Sequence, residues 1–183
     1  MTTLSAMSSF CLCLLVASVF SCGLTSGIAV AADYSNQEPA DFVASVFPGL
    51  KPHVKVLWIT PDIRMAVVRI LGHEPVQLRQ KYWTDNQKTV WIFDEIGKED
   101  SITAGFVVKD GRIEQARVLT YRESRGGEIR YPSFISQFQG VALSADTHLN
   151  RRIDGISGAT LSVNAMTRMT REALYFAQVV AEK

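Results

Sequence analysis

Residues 102–119, ITAGFVVKDGRIEQARVL, set two runs of alternating apolar and polar residues on either side of Lys109-Asp110-Gly111. An Asp-Gly pair between two such runs is the strongest short-range signal for a β-hairpin, because both turn residues tolerate positive φ. The strands are therefore Ile102 to Val108 and Ile113 to Leu119. The period of two extends upstream: Val76-Leu78-Gln80-Tyr82 and Val90-Ile92 alternate around a turn at Thr84-Asp85-Asn86-Gln87.

On both sides of this block the period becomes helical. Thr60-Pro61-Asp62 supplies an N-cap residue and Pro at the first helical position. Ile63, Val67, Ile70 and Leu71 then share one face, and Gly72 ends the helix. Before it, Val54, Val56 and Trp58 alternate along a strand, and Pro39 to Phe47 forms a first helix stopped by Pro48-Gly49. Asp33 to Pro39 reads as a flexible lead-in. After the hairpin comes a polar, glycine-containing loop, Tyr121 to Arg130. A short helix capped by Ser133 runs through Phe134, Ile135 and Phe138 to Gly140. Val141 to Asn150 is irregular and Arg151 to Thr160 is glycine-rich. The last helix covers Leu161 to Ala181, with Val163, Met166, Met169, Ala173, Leu174, Ala177 and Val180 as its core stripe. Hairpins flanked by helices make an α+β fold, an antiparallel sheet followed by one long C-terminal helix.

The chain has 183 residues, 20% of them charged and 47% hydrophobic, with a formal net charge of +1. That balance excludes a disordered chain, a collagen-like chain and a strongly basic nucleic-acid binder. The charge is unevenly placed: all 19 basic and 18 acidic residues follow Ala32, and Cys11, Cys13 and Cys22 all precede it. The body of the chain thus holds no disulfide and no thiolate chemistry. Phe10 to Phe20 is apolar and Ala29-Val30-Ala31-Ala32 offers a small-residue cleavage pattern, so residues 1–32 read as a secretory signal peptide. No Lys or Arg precedes the apolar core. An uncleaved anchor, a lipoprotein box at Val19-Phe20-Ser21-Cys22 and a buried helix are the alternatives. Residues 33–99 form the N-terminal α/β part of the domain and 100–183 its core.

His53, His73 and His148 lack metal-ligand spacing and read as ordinary surface histidines. No HExxH, GxSxG, Walker loop or GxGxxG is present, so the sequence names no catalytic residue and no metal ligand. Asp154-Gly155-Ile156-Ser157-Gly158-Ala159-Thr160 is different. Its glycines let a ligand approach the backbone. It leads straight into a long helix, whose first N–H groups and dipole favour a phosphate. On these grounds alone, Ser157 or Thr160 merely capping the helix is the better reading.

This heptad resembles the D-x-x-S/T-G-A-T/S motif of the FMN-binding domain family, which includes flavin subunits of the sodium-pumping NADH:quinone reductase and the Rnf complex. Three further stretches are similar in the same order: Gly105 to Ile113, Tyr121 to Ile129 with its Glu123-Ser124-Arg125-Gly126, and Phe134 to Gly140. The resemblance implies FMN, joined from FAD by a flavin transferase through its phosphate to Thr160. It implies that Asp154, Gly155, Ser157, Gly158 and Ala159 form the attachment loop, with Asp154 part of what the transferase recognises. Glu123, Ser124, Gly126 and Gly127 would line the flavin. Arg122, Arg125 and Arg130 are either counter-charges for the phosphate or reduced flavin, or solvated side chains. The expected protein is an exported flavoprotein, in the periplasm or on the outer face of the cytoplasmic membrane, relaying electrons between a membrane-bound or periplasmic donor and acceptor. A redox sensor signalling to a membrane partner is the alternative. No nucleic-acid partner is expected.

Overall fold

The computed structural model describes residues 36–182; the expected signal peptide and Asp33 lie outside them. The described residues make one compact unit, with a single sheet running across the 99/100 division. Five strands form it: β1 (His53–Trp58), β2 (Arg79–Thr84), β3 (Lys88–Ile96), β4 (Ser101–Lys109) and β5 (Arg112–Tyr121). They are antiparallel and lie in sequence order, β1-β2-β3-β4-β5. The helices are α1 (Pro39–Val46), α2 (Pro61–Leu71), a short α3 (Pro132–Ile135) flanked by 3-10 turns, and α4 (Thr160–Ala181). No helix of the described residues is long and apolar enough to cross a membrane. The α+β architecture expected from the hairpins is the one observed.

The turn at Asp110-Gly111 has φ of 50° and 69°, the positive values that a two-residue hairpin of this twist requires. Its register runs from Lys109↔Arg112 to Ile102↔Tyr121. One face of the sheet is covered by α4 and α2. There Trp91, Phe93, Phe106 and Phe176 pack with Ile63, Val67 and Ile70, and Tyr82 stacks on Trp91 at 4.6 Å between ring centroids. The expected stripe of α4 is buried as far as Ala177, and Val180 is partly covered. The other face is covered over β3–β5 by α1, through Phe42, Val43, Val46 and Phe47 on Val90, Val107 and Leu119. Gly105 makes this contact possible: a Cβ there would lie 2.4 Å from the Phe42 ring.

Val54, Val56 and Trp58 lie on the expected strand and point outward, 58%, 47% and 63% exposed, and Leu57 is its buried residue. Three local expectations need correction. Val76 and Leu78 precede β2 and are exposed, because the chain leaves the sheet between Gly72 and Arg79. Ser133 does not cap the short helix; Pro132 opens it after an extended Tyr131. The lead-in is not loose at Asn36 and Gln37. The Gln37 N–H donates to the Leu119 carbonyl at 2.7 Å, and the Tyr121 N–H donates to Asn36 Oδ1 at 3.2 Å.

Candidate functional site

The fold brings together two loops that lie some thirty residues apart in sequence: the one after β5 and the one before α4. Tyr121, the last residue of β5, is the hub. Its hydroxyl donates to the Arg125 carbonyl and lies 3.4 Å from Ser162 Oγ in the first turn of α4. Burial pushes its phenol above the ordinary 10. Arg130 lies over its ring at 5.6 Å. Gly126, at φ 83°, fits under this hub; a Cβ there would meet Tyr121 Oη at 2.9 Å and Ala159 Cβ at 3.0 Å. Both the left-handed backbone and the close approach require glycine. Gly126 is therefore packed beside Ala159 and Ser162, whereas a Cβ at Gly127 would meet the Arg130 guanidinium at 3.2 Å.

The loop preceding α4 is fixed from below. The Asp154 N–H donates to Gln137 Oε1 at 2.7 Å, Arg151 donates to the Gln139 carbonyl, and Ala159 N–H to the Ile156 carbonyl at 3.0 Å. Ala159 is buried and anchors the junction, whereas Asp154, Gly155, Ser157, Gly158 and Thr160 are exposed. Gly158 takes φ 82°, and nothing lies within 4 Å of where a Cβ would stand at Gly155 or Gly158. Thr160 is the first residue of α4. No side chain caps this end and its first turn holds no acidic residue. The first N–H groups of an α-helix have no partner within it, and the dipole adds about half a positive charge there. A phosphate placed beside the Thr160 hydroxyl would meet donors, positive potential and open space, so the residues present fit a phosphate group at this position.

Glu123 is placed differently from Ser124, which is exposed. Glu123 Oε1 accepts the N–H of Lys98 and, at 3.2 Å, that of Glu99. It clasps the β3–β4 turn, with Gly97 close against it. Arg122 Nη1 is engaged with Ser101 Oγ at 3.1 Å and Thr103 Oγ1 at 3.2 Å. Arg125 is exposed, its carbonyl taken by Tyr121. Met166 and Met169 are fully buried core residues.

A second cluster escaped the sequence. Glu95, 6% exposed, accepts Arg168 Nη2 at 2.6 Å and Nε at 2.9 Å, and His73 Nε2 at 3.1 Å. His73 Nδ1 also meets an acceptor, the Glu74 carbonyl at 2.9 Å, so both ring nitrogens donate. That backbone carbonyl, aided by Glu95, holds the imidazole above its ordinary 6.5. Next to this network Glu172 of α4 is 8% exposed, and burial together with the Glu95 charge pushes its carboxyl up to about 8. The partners are 22 and 73 residues apart, so no local spacing marks them. One signal was available: Glu172 falls between Met169 and Phe176, on the buried side of the helix. Among the described residues no group of His, Cys, Asp and Glu could hold a metal ion.

Residues 97–175 match the model of the FMN-binding domain family. The match begins at the β3–β4 turn and spans the Tyr121 hub, both loops and most of α4. No curated protein sequence matches the chain.

Proposed function

We propose that this chain, whose residues 97–175 form an FMN-binding domain, is an exported flavoprotein that holds FMN covalently on Thr160 and passes electrons between an envelope donor and acceptor. One observation carries the attachment: the Thr160 hydroxyl stands exposed at the uncapped start of a 22-residue helix, beside loops that leave a ligand room. Bound FMN supplies one- and two-electron chemistry that no side chain here has. The protein's own part is to fix, shield and electrostatically tune it. A helix terminus is worth only about 0.3–1 kcal/mol per charge at an exposed site. That does not retain a flavin against dilution, so a covalent bond suits a place without a flavin pool.

Loading balances as a transfer: the Thr160 oxygen forms a bond to the FMN phosphorus of FAD, the pyrophosphate bond breaks, AMP leaves, and the hydroxyl proton is released. Asp154, exposed six residues before the acceptor, is available for a transferase to read. Gly126 packs against Ala159 of this loop, and Ser124 and Gly127, on either side of Arg125-Gly126, complete the flavin wall in this reading. The same reading puts Glu123 at the rim, where its free oxygen faces the cofactor while the other clasps the β3–β4 turn. The uncharged segment 1–32, ending Ala29-Val30-Ala31-Ala32, supports export.

Intact mass of the protein from its own envelope tests these points together. The chain is expected to start at Ala32 or Asp33 and to carry about 438 Da more, the mass of FMN less water. Thr160→Ala should remove that mass and the flavin fluorescence in a denaturing gel, and Thr160→Ser should keep them at least in part. Flavin still covalently bound in Thr160→Ala refutes the assignment and moves attention to Ser157.

A further inference from the structure

β2 pairs with β1 along its whole length, from His53↔Thr84 to Trp58↔Arg79. It pairs with β3 only at Tyr82↔Trp91, Trp83↔Val90 and Thr84↔Thr89. Beyond Tyr82 and Trp91 the two strands part: Arg79–Lys81 stay with β1, while Ile92–Ile96 stay with β4. The ladder becomes a fork. Gln80 Nε2 reaches across it to the Ile92 carbonyl at 3.0 Å, a backbone acceptor freed by the divergence. A cavity of about 750 Å³ fills the fork, closed on the α4 side by Arg168, Glu172 and Phe176. That size lies within the range of small-molecule sites, which pair apolar walls with a few placed polar groups.

The walls are apolar and partly aromatic, with Ile59, Ile92, Phe93, Trp83 and Phe176. The polar groups are selective. Charges of both signs face the space: Glu95 and Asp94 from β3, Lys81 from β2, Arg168 from α4 and His73 from the chain after α2. An anion would meet the two carboxylates and a cation the three basic side chains. Arg168 and His73 are already committed to Glu95. Glu172 is not: it is more than nine-tenths buried, lines the cavity and has no hydrogen-bond partner among the described residues. Its carboxyl is not sealed, since Gln37 Oε1 is the one enclosed side-chain polar atom without a partner among the described residues; it is left open to the cavity and able to meet a group placed there. In its neutral form, which burial and Glu95 favour, a carboxylic acid has one O–H to donate.

We infer that the fork between β2 and β3 is a binding site for a free, uncharged aromatic compound carrying a carbonyl oxygen, with Glu172 donating the hydrogen bond to that oxygen. Glu172 follows Thr160 by twelve residues, about 18 Å along α4, so the site is separate from the attachment threonine. The inference does not depend on flavin attachment.

The test uses the whole chain, produced without a flavin transferase, and two probes of similar shape: 1-tetralone, with a carbonyl, and tetralin, without one. Isoleucine-methyl NMR titrations at pH 6 should show 1-tetralone shifting Ile59 and Ile92 and binding at least tenfold more tightly than tetralin. Glu172→Leu should erase that preference and Glu172→Gln, which still donates an N–H, should keep most of it. The preference should fade above pH 9 in the wild type and persist in the Gln variant. Equal affinity for both probes, shifts confined to isoleucines outside the cavity that Ile59, Ile92 and Ile96 line, or an undiminished preference in Glu172→Leu each overturns the proposal. So does binding that vanishes once the chain carries flavin, since the site would then be the flavin's own.

Discussion

Glu172→Gln should flatten the pH dependence of stability between pH 5 and 8. In the folded chain the Glu172 carboxyl is pushed from 4.5 up to about 8, first by burial and then by Glu95. The folded state therefore binds this proton more tightly than the unfolded chain does. Its contribution is fully present below pH 4.5, is lost as pH rises toward 8, and is gone above that. At about 1.4 kcal/mol per tenfold change in proton affinity, the loss between pH 5 and 8 is on the order of 3 kcal/mol. That is a large share of a typical domain stability of about 5–15 kcal/mol. His73, also raised, acts in the same direction near neutrality, so the Gln variant retains a shallow slope there. Asp85 and Asp146 are lowered and act only below about pH 4, outside this window. Urea melts at half-unit pH steps measure the effect. The two proteins should be of similar stability at pH 5, and the variant should be the more stable at pH 8. A wild type whose stability is flat over the window, or a variant with the same slope, refutes the reasoning.

Gly105→Ala should cost about 1–3 kcal/mol in a urea melt, the range for overpacking, because its Cβ would fall 2.4 Å from the Phe42 ring; adding Phe42→Leu should recover part of the loss, and full additivity would rule out the clash. Glu123→Gln should cost about 1–2 kcal/mol as its charged acceptor is lost and, in the flavin-bearing protein, shift the flavin spectrum; a spectrum identical to wild type confines Glu123 to clasping the β3–β4 turn.

What the sequence disclosed follows from range. The Asp110-Gly111 hairpin, the Pro61 start and Gly72 stop of α2, and the span of α4 rest on residues a few positions apart, where turn and cap geometry decide. The glycine-rich loop was legible for the same reason. The facing of β1 was not: its alternation is real, but which phase is buried depends on where α1 ends over the sheet. Nor was Val76–Leu78, whose alternation mimics a strand while the chain is outside the ladder. The Glu95 cluster depends on three distant elements meeting. Glu172 contradicted its helix face in plain view, since a charge on a buried stripe signals a neutral acid or a missing partner.

The sequential order of the strands bears on how the molecule assembles. β2–β3, β3–β4 and β4–β5 are joined by three, four and two residues, so most of the sheet closes through short loops of low entropic cost. α4 is the last of the described elements and crosses back over β3 and β4, a long-range closure on which the Tyr121–Ser162 junction depends. Hairpins can thus form while the final third of the chain is still unplaced, and the Asp154–Thr160 loop, held at its start by Gln137, is completed at its Ala159 end when α4 docks. A modifying enzyme that recognises that shape would act as a folding checkpoint, labelling only those copies in which every other element is already in position.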